Sequence, residues 1–440
     1  MSWAEEELGA AELGDARRSR RLVRLVERLA EQPSVSIPAA CSGAAETKAA
    51  YRLLSHDAVG WSDILAPHLA SSLRRMAVEP VVLCLQDTTE LDFNGQAIEG
   101  LGPLAYEAQR GLYLHATYAV SPQRVPLGVL NAWMWAREPK QQSEGIRGGL
   151  LESVRWLESY ERLAELAVEL PATRLVCVGD RESDLLALLV KARKWGHAAD
   201  YLVRCQHNRT LPEGGKLWEA VMDSEPLGRI GFELPAGRGR QARAVEQELR
   251  AQRLRLADRQ GGHVEVTCLI ASEVGAPAGA KPVVWRLLSN REVPTLEAAV
   301  ELVDWYRARW EVEVLFLTLK EGCRVETLQL SSIERIERAL ALYLVIAWRI
   351  GLLMRLGRAC PEWDAERLLT REEWQAAWIV ARKRPPDKTP TLRKALHMIA
   401  ALGGFLGRNG DGEPGVKSLW IGLQRVASCV EGMRFRERCG

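Results

Sequence analysis

Short apolar runs alternate with longer helical patterns between residues 81 and 204, and this alternation constrains the fold most strongly. Residues 81–85, 113–120 and 127–135 are predicted to be three consecutive strands. A helix over about 145–169, a strand at 174–178, a helix from about Asp184 and a strand at 201–204 follow. A three-strand meander followed by α-β-α-β is the element order of the RNase H-like fold, a mixed sheet with helices on both faces. We therefore predict an α/β protein with an RNase H-like catalytic core.

Helical segments flank this core and a β-rich segment interrupts it. Residues 1–77 are predicted to be helical, with Asp15 as the N-cap of a helix to about Ala30 and further helices at 44–54 and 61–76. Residues 205–290 contain glycine-rich turns and β-like runs at 264–270 and 283–288. Thr295 is a plausible N-cap for one long helix through Glu321, and the chain is helical again from Ile333. The predicted domains are 1–77, 78–330 with an insertion at about 205–290, and 331–440.

The overall composition is that of a globular protein, and by itself it does not indicate a nucleic-acid partner. The chain has 440 residues, a formal net charge of +2 and nine cysteines without a CxxC pair. We expect a reducing, cytoplasmic setting without structural zinc. The acidic N-terminus lacks the apolar region of a signal peptide. The apolar stretch 337–354 is interrupted by charges and is predicted to be a buried helix rather than a membrane span, so no membrane partner is expected.

Four polar residues recur along the predicted 295–321 helix in the pattern Y-x2-R-x3-E-x6-K: Tyr306, Arg309, Glu313 and Lys320. At about 100° per residue they fall within one stripe roughly 60° wide. Glu311 lies about 160° from Glu313 by the same arithmetic and is predicted to face solvent. A carboxylate between two cations suits metal-assisted chemistry on a phosphodiester. The alternative is an ordinary solvated stripe in which Arg309 and Glu313 form an i,i+4 ion pair.

Two aspartates are placed where a metal site needs them. Asp87 follows the apolar run VVLCL, and Asp180 follows LVCV at the carboxyl end of another predicted strand. Hard cations prefer oxygen ligands, and two-metal phosphoryl transfer needs several carboxylates together. Each aspartate could instead be a turn or cap residue, which is the stronger alternative for Asp180. The rival carboxylates are Glu90, Asp92, Glu182 and Asp184.

These motifs resemble those of the DDE transposases of the bacterial insertion-sequence-four family, in particular the transposon-five type. That family has the Y-x2-R-x3-E-x6-K signature on its last catalytic helix. Its first aspartate lies in a D-T-T context, as Asp87 does, and its second in D-R-E-x-D, as Asp180 does. The resemblance continues outside the core, in LGDARRSRRLVRLVERLA (13–30), AAYRLLSHDAV (49–59), LTREEW (369–374) and LGGFLGR (402–408).

The resemblance implies a cut-and-paste DNA transposase. Asp87, Asp180 and Glu313 would be catalytic and would hold two Mg²⁺ ions, which Mn²⁺ can replace: Asp87 and Glu313 one ion, Asp87 and Asp180 the other. Such an enzyme nicks the ends of terminal inverted repeats, forms and opens a hairpin, and joins the 3′-OH ends to target DNA. Its partners would be double-stranded DNA and a second copy of the chain, as a homodimer on two DNA ends.

The resemblance also implies DNA contacts. Trp285 would stack on a base flipped out near the hairpin, although a core tryptophan is an equal alternative. Tyr306 and Arg309 would hold the adjoining phosphate, and Arg204 and Arg209 would clamp the backbone. The arginines of 236–259 could wrap DNA or form a solvated basic loop. The remaining candidates, which we place on the DNA together with Lys320, are on the N-terminal helices: Arg17, Arg18, Arg21, Arg24, Arg28, Lys48, Tyr51 and Arg52.

Two other functions are compatible with part of these observations. A catalytically inactive, transposase-derived DNA-binding protein would have no need of the three acidic residues and the Y-R-E-K stripe. A stand-alone RNase H-like nuclease would leave the N-terminal arginine helix and the C-terminal helices without a purpose. Cleavage of terminal-repeat DNA, and its loss when Glu313 is replaced, distinguishes these functions from a transposase.

Overall fold

A computed structural model describes residues 2–140, 152–234, 241–258 and 261–439. The chain forms two compact units. The first unit contains Met1–Met76, Thr88–Gly149 and Glu311–Gly440, and the second contains Ala77–Asp87 and Leu150–Trp310. The fold is mixed α/β, with a large sheet and helical N- and C-terminal regions. The three-domain division made from the sequence remains a prediction.

The N-terminal part of the first unit is helical because polar caps and apolar faces recur where helices begin and pack. Asp15 accepts a hydrogen bond from the Arg17 backbone N–H at 2.8 Å, so the predicted N-cap is confirmed. The apolar face of that helix, including Leu22 and Leu29, is buried. The helices are α1 (Trp3–Leu8), α2 (Ala16–Glu31), α3 (Ile37–Ala40), α4 (Ala44–Leu54) and α5 (Trp61–Met76).

A β meander follows in the first unit. The strand β1 (Val81–Asp92) enters this unit after Asp87. The strands β2 (Gly102–Pro103), β3 (Arg110–Val120) and β4 (Pro126–Trp135) then pair antiparallel in chain order. Almost every residue of β3 is buried. The predicted strands at 113–120 and 127–135 are therefore confirmed.

Helices form the C-terminal part of the first unit. They are α10 (Trp310–Leu317), α11 (Ile333–Ala359), α12 (Arg371–Val380), α13 (Leu392–Leu402) and α14 (Val416–Cys439). Helix α11 is, among the described residues, the one helix whose length and composition would allow it to span a membrane, and 83% of its most apolar window is buried inside the protein. This burial agrees with the predicted core helix.

The second unit is built on parallel strands that lead into an antiparallel ribbon. The first part of β1 pairs in parallel with β5, which pairs in parallel with β6, and the order continues through β10, β9, β8 and β7. The strands are β5 (Arg174–Gly179), β6 (Asp200–Arg204), β7 (Gly228–Leu234), β8 (Arg243–Ala257), β9 (His263–Glu273) and β10 (Val284–Ser289). The helices are α6 (Ser153–Glu169), α7 (Leu186–Lys194), α8 (Leu217–Met222) and α9 (Leu296–Arg307). The start of the predicted 145–169 helix lies outside the described residues.

The described part of the arginine-rich segment 236–259 is a strand, as a β-rich insertion requires, rather than the solvated loop that was one of two alternatives. Its described part forms the long strand β8, which pairs with β7 and β9 over most of its length. Arg253 and Arg255 alternate there with apolar residues. Glu265 and Glu273 of the neighbouring strand β9 pair with Arg253, Arg255 and Arg243, so a charged sequence can form a regular strand. Arg238, Arg240 and Arg259 lie outside the described residues.

The predicted continuous helix from Thr295 to Glu321 is wrong, although Thr295 does cap α9 by accepting from Ala298 N–H. Helix α9 ends at Arg307, α10 begins at Trp310, and Thr318–Gly322 is a π-helical turn. Angles computed along one uninterrupted helix therefore do not apply across the segment.

The predicted exposure of Glu311 to solvent is also wrong, because Arg355 lies against this side of α10. Glu311 is only 4% exposed, and its carboxylate accepts a hydrogen bond at 2.8 Å from Nε of Arg355 on α11. A buried carboxylate is stable in such a place because a guanidinium compensates its charge.

Candidate active site

Asp87 and Asp180 lie just beyond the last parallel pair of β1 with β5. Asp180 directly follows β5, whereas Asp87 lies within β1, which continues to Asp92. The register pairs Leu85 of β1 with Val178 of β5, and each aspartate follows two positions later. Side chains of adjacent parallel strands at the same position in the register are neighbours, so the two carboxylates are brought to one edge of the sheet. The two strands predicted from VVLCLQD and LVCVGD are thus confirmed. The catalytic role of Asp87 and Asp180 remains a prediction.

Asp180 also caps a turn, as its alternative interpretation required. Its Oδ1 accepts a hydrogen bond at 2.8 Å from the backbone N–H of Glu182, and its carbonyl oxygen accepts from the Ser183 hydroxyl at 2.5 Å. The short 3₁₀ turn Arg181–Ser183 begins here. The first of these bonds holds the side chain of Asp180 in one direction, and Oδ2 takes part in neither bond.

Asp87 forms an ion pair with Arg309. Nη1 of Arg309 lies 2.7 Å from Oδ2 of Asp87, and the two side chains are 13% and 18% exposed. The sequence placed Arg309 beside Glu313 on one stripe and did not connect it with Asp87. Arg309 comes into contact with Asp87 because the chain leaves α9 at Arg307 and turns before α10.

The other members of the Y-R-E-K pattern are divided between the units. Tyr306 is buried near the end of α9 in the second unit, and the Arg204 guanidinium lies 6.0 Å from its ring centroid. Glu313 is on α10 and Lys320 in the π-helical turn, both in the first unit. In the part of the chain that the structure describes, no three His, Cys, Asp or Glu side chains form a group that could hold a metal ion. The complete ligand set therefore remains a prediction.

Asp184, one of the rival carboxylates, has a structural position. It is 1% exposed and accepts hydrogen bonds from the backbone N–H groups of Gln206 and His207 at 2.7 and 2.8 Å. Arg209 completes the cluster, with Nη1 2.6 Å from the carboxylate. Asp184 thus anchors the segment that follows β6, and the guanidinium of Arg209 is engaged there. A contact of Arg209 with DNA remains a prediction.

The rival carboxylates on β1 are likewise engaged within the first unit. Glu90 accepts from the Tyr113 hydroxyl at 2.8 Å and from Ala105 N–H at 2.9 Å. Asp92 accepts from Asn94 N–H at 2.8 Å and from the Gln109 side chain at 3.0 Å. These bonds hold the loop between β1 and β3 in place. Both carboxylates therefore have a structural role that does not require catalysis.

Trp285 is half-buried on β10 and stacks on an aromatic neighbour. Its ring lies 5.6 Å from that of Phe232 on β7, with 16° between the planes, and the Arg307 guanidinium lies 5.2 Å from the Phe232 ring. One face of Trp285 is therefore covered by Phe232, as in offset aromatic stacking. The sequence left two alternatives open, a buried core tryptophan and a tryptophan that stacks on a base. The half-buried Trp285 lies between them.

The arginines of α2 are partly neutralised within the N-terminal helices. Arg24 and Arg28 lie 3.0 and 3.5 Å from the same Glu46 carboxylate of α4, and Arg17 lies 3.1 Å from Asp15. Arg18 donates to the Leu13 carbonyl at 2.7 Å. Lys48 and Arg52 are exposed on α4, whereas Arg21 and Tyr51 are half-buried. A DNA role for all eight remains a prediction.

The arginines of β8 are paired with glutamates. Arg253 and Arg255 lie 3.4 and 3.7 Å from Glu265, Arg250 lies 2.7 Å from Glu248, and Arg243 forms a bidentate pair with Glu273. Because each positive charge has a nearby carboxylate, this strand presents a nearly balanced surface rather than a basic one.

Three transposase domain families match consecutive parts of the chain. A transposase DNA-binding domain matches residues 1–59, a transposase DDE domain matches 160–349, and a transposase Tn5 dimerisation domain matches 345–439. The chain thus has the domains of a DDE transposase. In particular, residues 345–439 are similar to the dimerisation domain of the Tn5 transposase. The DDE match includes Asp180 and Glu313, while Asp87 precedes it.

One solved structure is also similar in part. The cryo-EM structure of the piggyBac transposase synaptic complex with hairpin DNA matches 84% of this chain and 57% of that chain, with 9% sequence identity and a TM-score of 0.36. The present chain thus spans 57% of the length of that solved chain. A likeness at this level carries no argument about the fold or the site.

Proposed function

We propose that this protein is a DNA transposase that cuts DNA at the ends of a mobile element and joins those ends to a target. The observation that carries the proposal is the placement of Asp87 and Asp180 beside each other, where the parallel pairing of β1 with β5 ends, in a chain that matches transposase DNA-binding, DDE and dimerisation domains. We assign the strands β1, β5 and β6 with their helices to an RNase H-like core.

The two aspartates fit a divalent cation. Both present carboxylate oxygens at the end of a sheet, where open α/β proteins bind ligands, and oxygen is the ligand that Mg²⁺ prefers. We propose that Asp87, Asp180 and Glu313 hold two Mg²⁺ ions, with Mn²⁺ able to replace them. The ions, when bound, would supply Lewis-acid activation of the attacking oxygen and stabilisation of the leaving one.

The protein's own side chains would position the DNA. Arg309, already directed at Asp87, would hold a phosphate beside the carboxylates, with Tyr306 and Lys320 on either side. Trp285, with one face on Phe232, would accept a flipped base on its other face during hairpin formation. Asp180, fixed by the Glu182 N–H, would keep its direction without a change of rotamer.

Cleavage of a labelled duplex that carries the flanking terminal repeat tests the proposal. With Mg²⁺, the wild-type protein should nick the repeat end, and Glu313→Gln and Asp180→Asn should abolish nicking while DNA binding persists. Glu321→Gln is the matched control because Glu321 is an exposed carboxylate on the neighbouring π-helical turn. Equal nicking by Glu313→Gln and the control would remove Glu313 from the site. Binding without cleavage by every protein would favour the inactive, transposase-derived DNA-binding protein.

The proposed homodimer on two DNA ends has its own test. Light scattering after gel filtration should give one protein copy without DNA and two copies with two duplexes when end DNA is added. The Tn5 dimerisation domain at 345–439 supports this expectation. A DNA-bound species that contains one protein copy would contradict it.

A further inference from the structure

A small cavity in the second unit is lined by three arginines. Its volume is about 190 Å³. Arg181 comes from the turn directly after Asp180, Arg204 from the end of β6 and Arg286 from β10. We call it the arginine cavity. The other residues that line it are Cys205, Gln206, Trp218 and Val284.

The walls of this cavity hold two of the arginines in place. The guanidinium of Arg286 stacks 4.1 Å from the ring centroid of Trp218 on α8. Trp218 is fixed in turn, because its Nε1–H donates to Cys205 Sγ at 3.3 Å. Arg204 donates through Nη2 to the Val284 carbonyl at 3.2 Å. A guanidinium held in this way loses little conformational entropy when it binds a ligand.

The positive charge of the cavity is not neutralised by carboxylates. Within the described part of the chain, none of its three arginines has an acidic side chain within 4.0 Å, whereas Arg250, Arg253 and Arg255 on the same sheet all do. Moreover, the Nε of Arg286 is buried and has no hydrogen-bond partner in the structure. A buried donor on a charged group is costly unless an acceptor reaches it.

Glu219 is an acidic group that interacts electrostatically with Arg286 of the arginine cavity. Its pKa is lowered chiefly by the Asn208 side chain, which donates to both carboxylate oxygens at 3.0 and 3.1 Å, and only to a lesser extent by Arg286. The Glu219 carboxylate is thus hydrogen-bonded to Asn208 and does not directly neutralise the charge of Arg286.

We propose that the arginine cavity binds one backbone phosphate of DNA. Planar guanidinium groups match the oxygens of a phosphate, and three of them around one small space suit a single tetrahedral anion. Because Trp218 already stacks on Arg286, the recognition groups of the cavity are cationic donors rather than an aromatic platform for a base. Arg181 follows Asp180 in the chain, so the bound phosphate belongs to the strand that approaches the candidate active site. This step rests on the proposed function.

The salt dependence of DNA binding tests the cavity directly. Each phosphate contact contributes about 0.9 to the slope of log K against log salt for duplex DNA. Fluorescence anisotropy with end DNA should therefore give a slope that is smaller by about one for Arg286→Gln than for the wild type. Arg286→Lys, which keeps the charge, should retain most of the slope. Arg255→Gln is the matched control, an arginine on the same sheet that is paired with Glu265.

Neutral methylphosphonate linkages, placed one at a time in the end DNA, locate the contact. The wild-type protein should lose affinity at one position at which Arg286→Gln shows no further loss. Thermal unfolding should first show that the wild type and both variants are folded. Equal slopes for Arg286→Gln and Arg255→Gln would then overturn the proposal. So would the absence of DNA binding by the wild-type protein at low salt.

The two proposals fail in different ways. Nicking of end DNA by the wild type together with an unchanged slope for Arg286→Gln would overturn the arginine cavity and leave the transposase function in place. A reduced slope without nicking by any protein would support the cavity and count against the proposed catalysis.

Discussion

Arg309 and Asp87 form an ion pair across 222 positions of sequence, with 2.7 Å between Nη1 and Oδ2. Both side chains are largely buried, at 13% and 18% exposure. The pair joins β1 to the turn after α9 within the second unit, so a residue of the Y-R-E-K pattern holds a candidate catalytic carboxylate in place. A role in stability is therefore expected besides any role in chemistry.

Replacing Arg309 with Gln should lower the free energy of unfolding by about 2–3 kcal/mol, because a mostly buried carboxylate loses a charge-assisted bond. The double variant Asp87→Asn/Arg309→Gln should lose less than the sum of the two single variants, by about 1 kcal/mol or more. Urea unfolding followed by circular dichroism gives the four values. Arg162→Gln, which breaks an exposed pair with Glu165, should change stability by about 0–1 kcal/mol. Additive single effects would show that Asp87 and Arg309 do not interact.

The buried pair of Glu311 and Arg355 in the first unit gives a second prediction. Glu311→Gln should destabilise the protein by about 3 kcal/mol or more, since it leaves a guanidinium without its carboxylate in a buried place. Below its unfolding temperature this variant should still nick end DNA, unlike Glu313→Gln. Asp387→Asn is the control, because its pair with Arg384 is almost fully exposed. Differential scanning fluorimetry would contradict the prediction if both variants melted together.

The sequence predicted the elements well where local signals were strong. Apolar runs fixed the positions of β1, β5 and β6, and Asp15 and Thr295 were correctly identified as N-caps. The placement of Asp87 on β1 and of Asp180 directly after β5 followed from the same runs, which end two residues before each aspartate.

The sequence failed where distant partners decide the outcome. Nothing local to Glu311 signals that Arg355, 44 positions later, compensates it. The break after Arg307 was missed because no glycine or proline marks it. The sequence placed this segment in a β-rich insertion but left a solvated loop open for its arginines, because their glutamate partners are not evident from the local sequence.

The arginine cavity was not predicted for a related reason. Arg204 was singled out, but Arg181 and Arg286 come from other elements and meet it only in the folded sheet. One sequence signal was present: Arg286 interrupts the otherwise apolar VVWRLL run of β10. A charged residue within an apolar strand indicates a specific partner.

His68 should make the protein sensitive to acid. It is fully buried in the first unit, its Nε2 accepts from Val129 N–H at 2.9 Å, and its Nδ1 lies 2.5 Å from Glu7. Burial lowers the pKa of His68, and the neighbouring Glu7 only partly opposes this. The unfolded chain, with an ordinary histidine pKa of about 6.5, therefore binds a proton at higher pH than the folded protein does. Stability is thus complete above about pH 6.5 and falls as the pH decreases below it.

Melting temperatures at pH 7.5, 6.5 and 5.5 test this behaviour. His68→Gln should be less stable than the wild type at pH 7.5, yet it should lose less on going to pH 5.5 because the titrating group is gone. His263→Gln, which changes an exposed histidine, should keep the wild-type pH dependence. The same pH dependence in all three proteins would show that His68 does not set the acid sensitivity.

Glu337 on α11 should have the opposite effect. Burial, reinforced by the neighbouring Glu334, raises its pKa to about 7, although Arg338 opposes the shift. The folded state therefore holds a proton that the unfolded state has released above its ordinary pKa of about 4.3. The contribution of Glu337 is fully favourable at lower pH and is lost as the pH rises through about 7.

Glu337→Gln should consequently raise the melting temperature at pH 8 and change it little at pH 5, whereas the exposed Glu362→Gln should have little effect at either pH. A melting temperature of Glu337→Gln that differs from the wild type equally at both pH values would mean that Glu337 titrates normally in the folded protein.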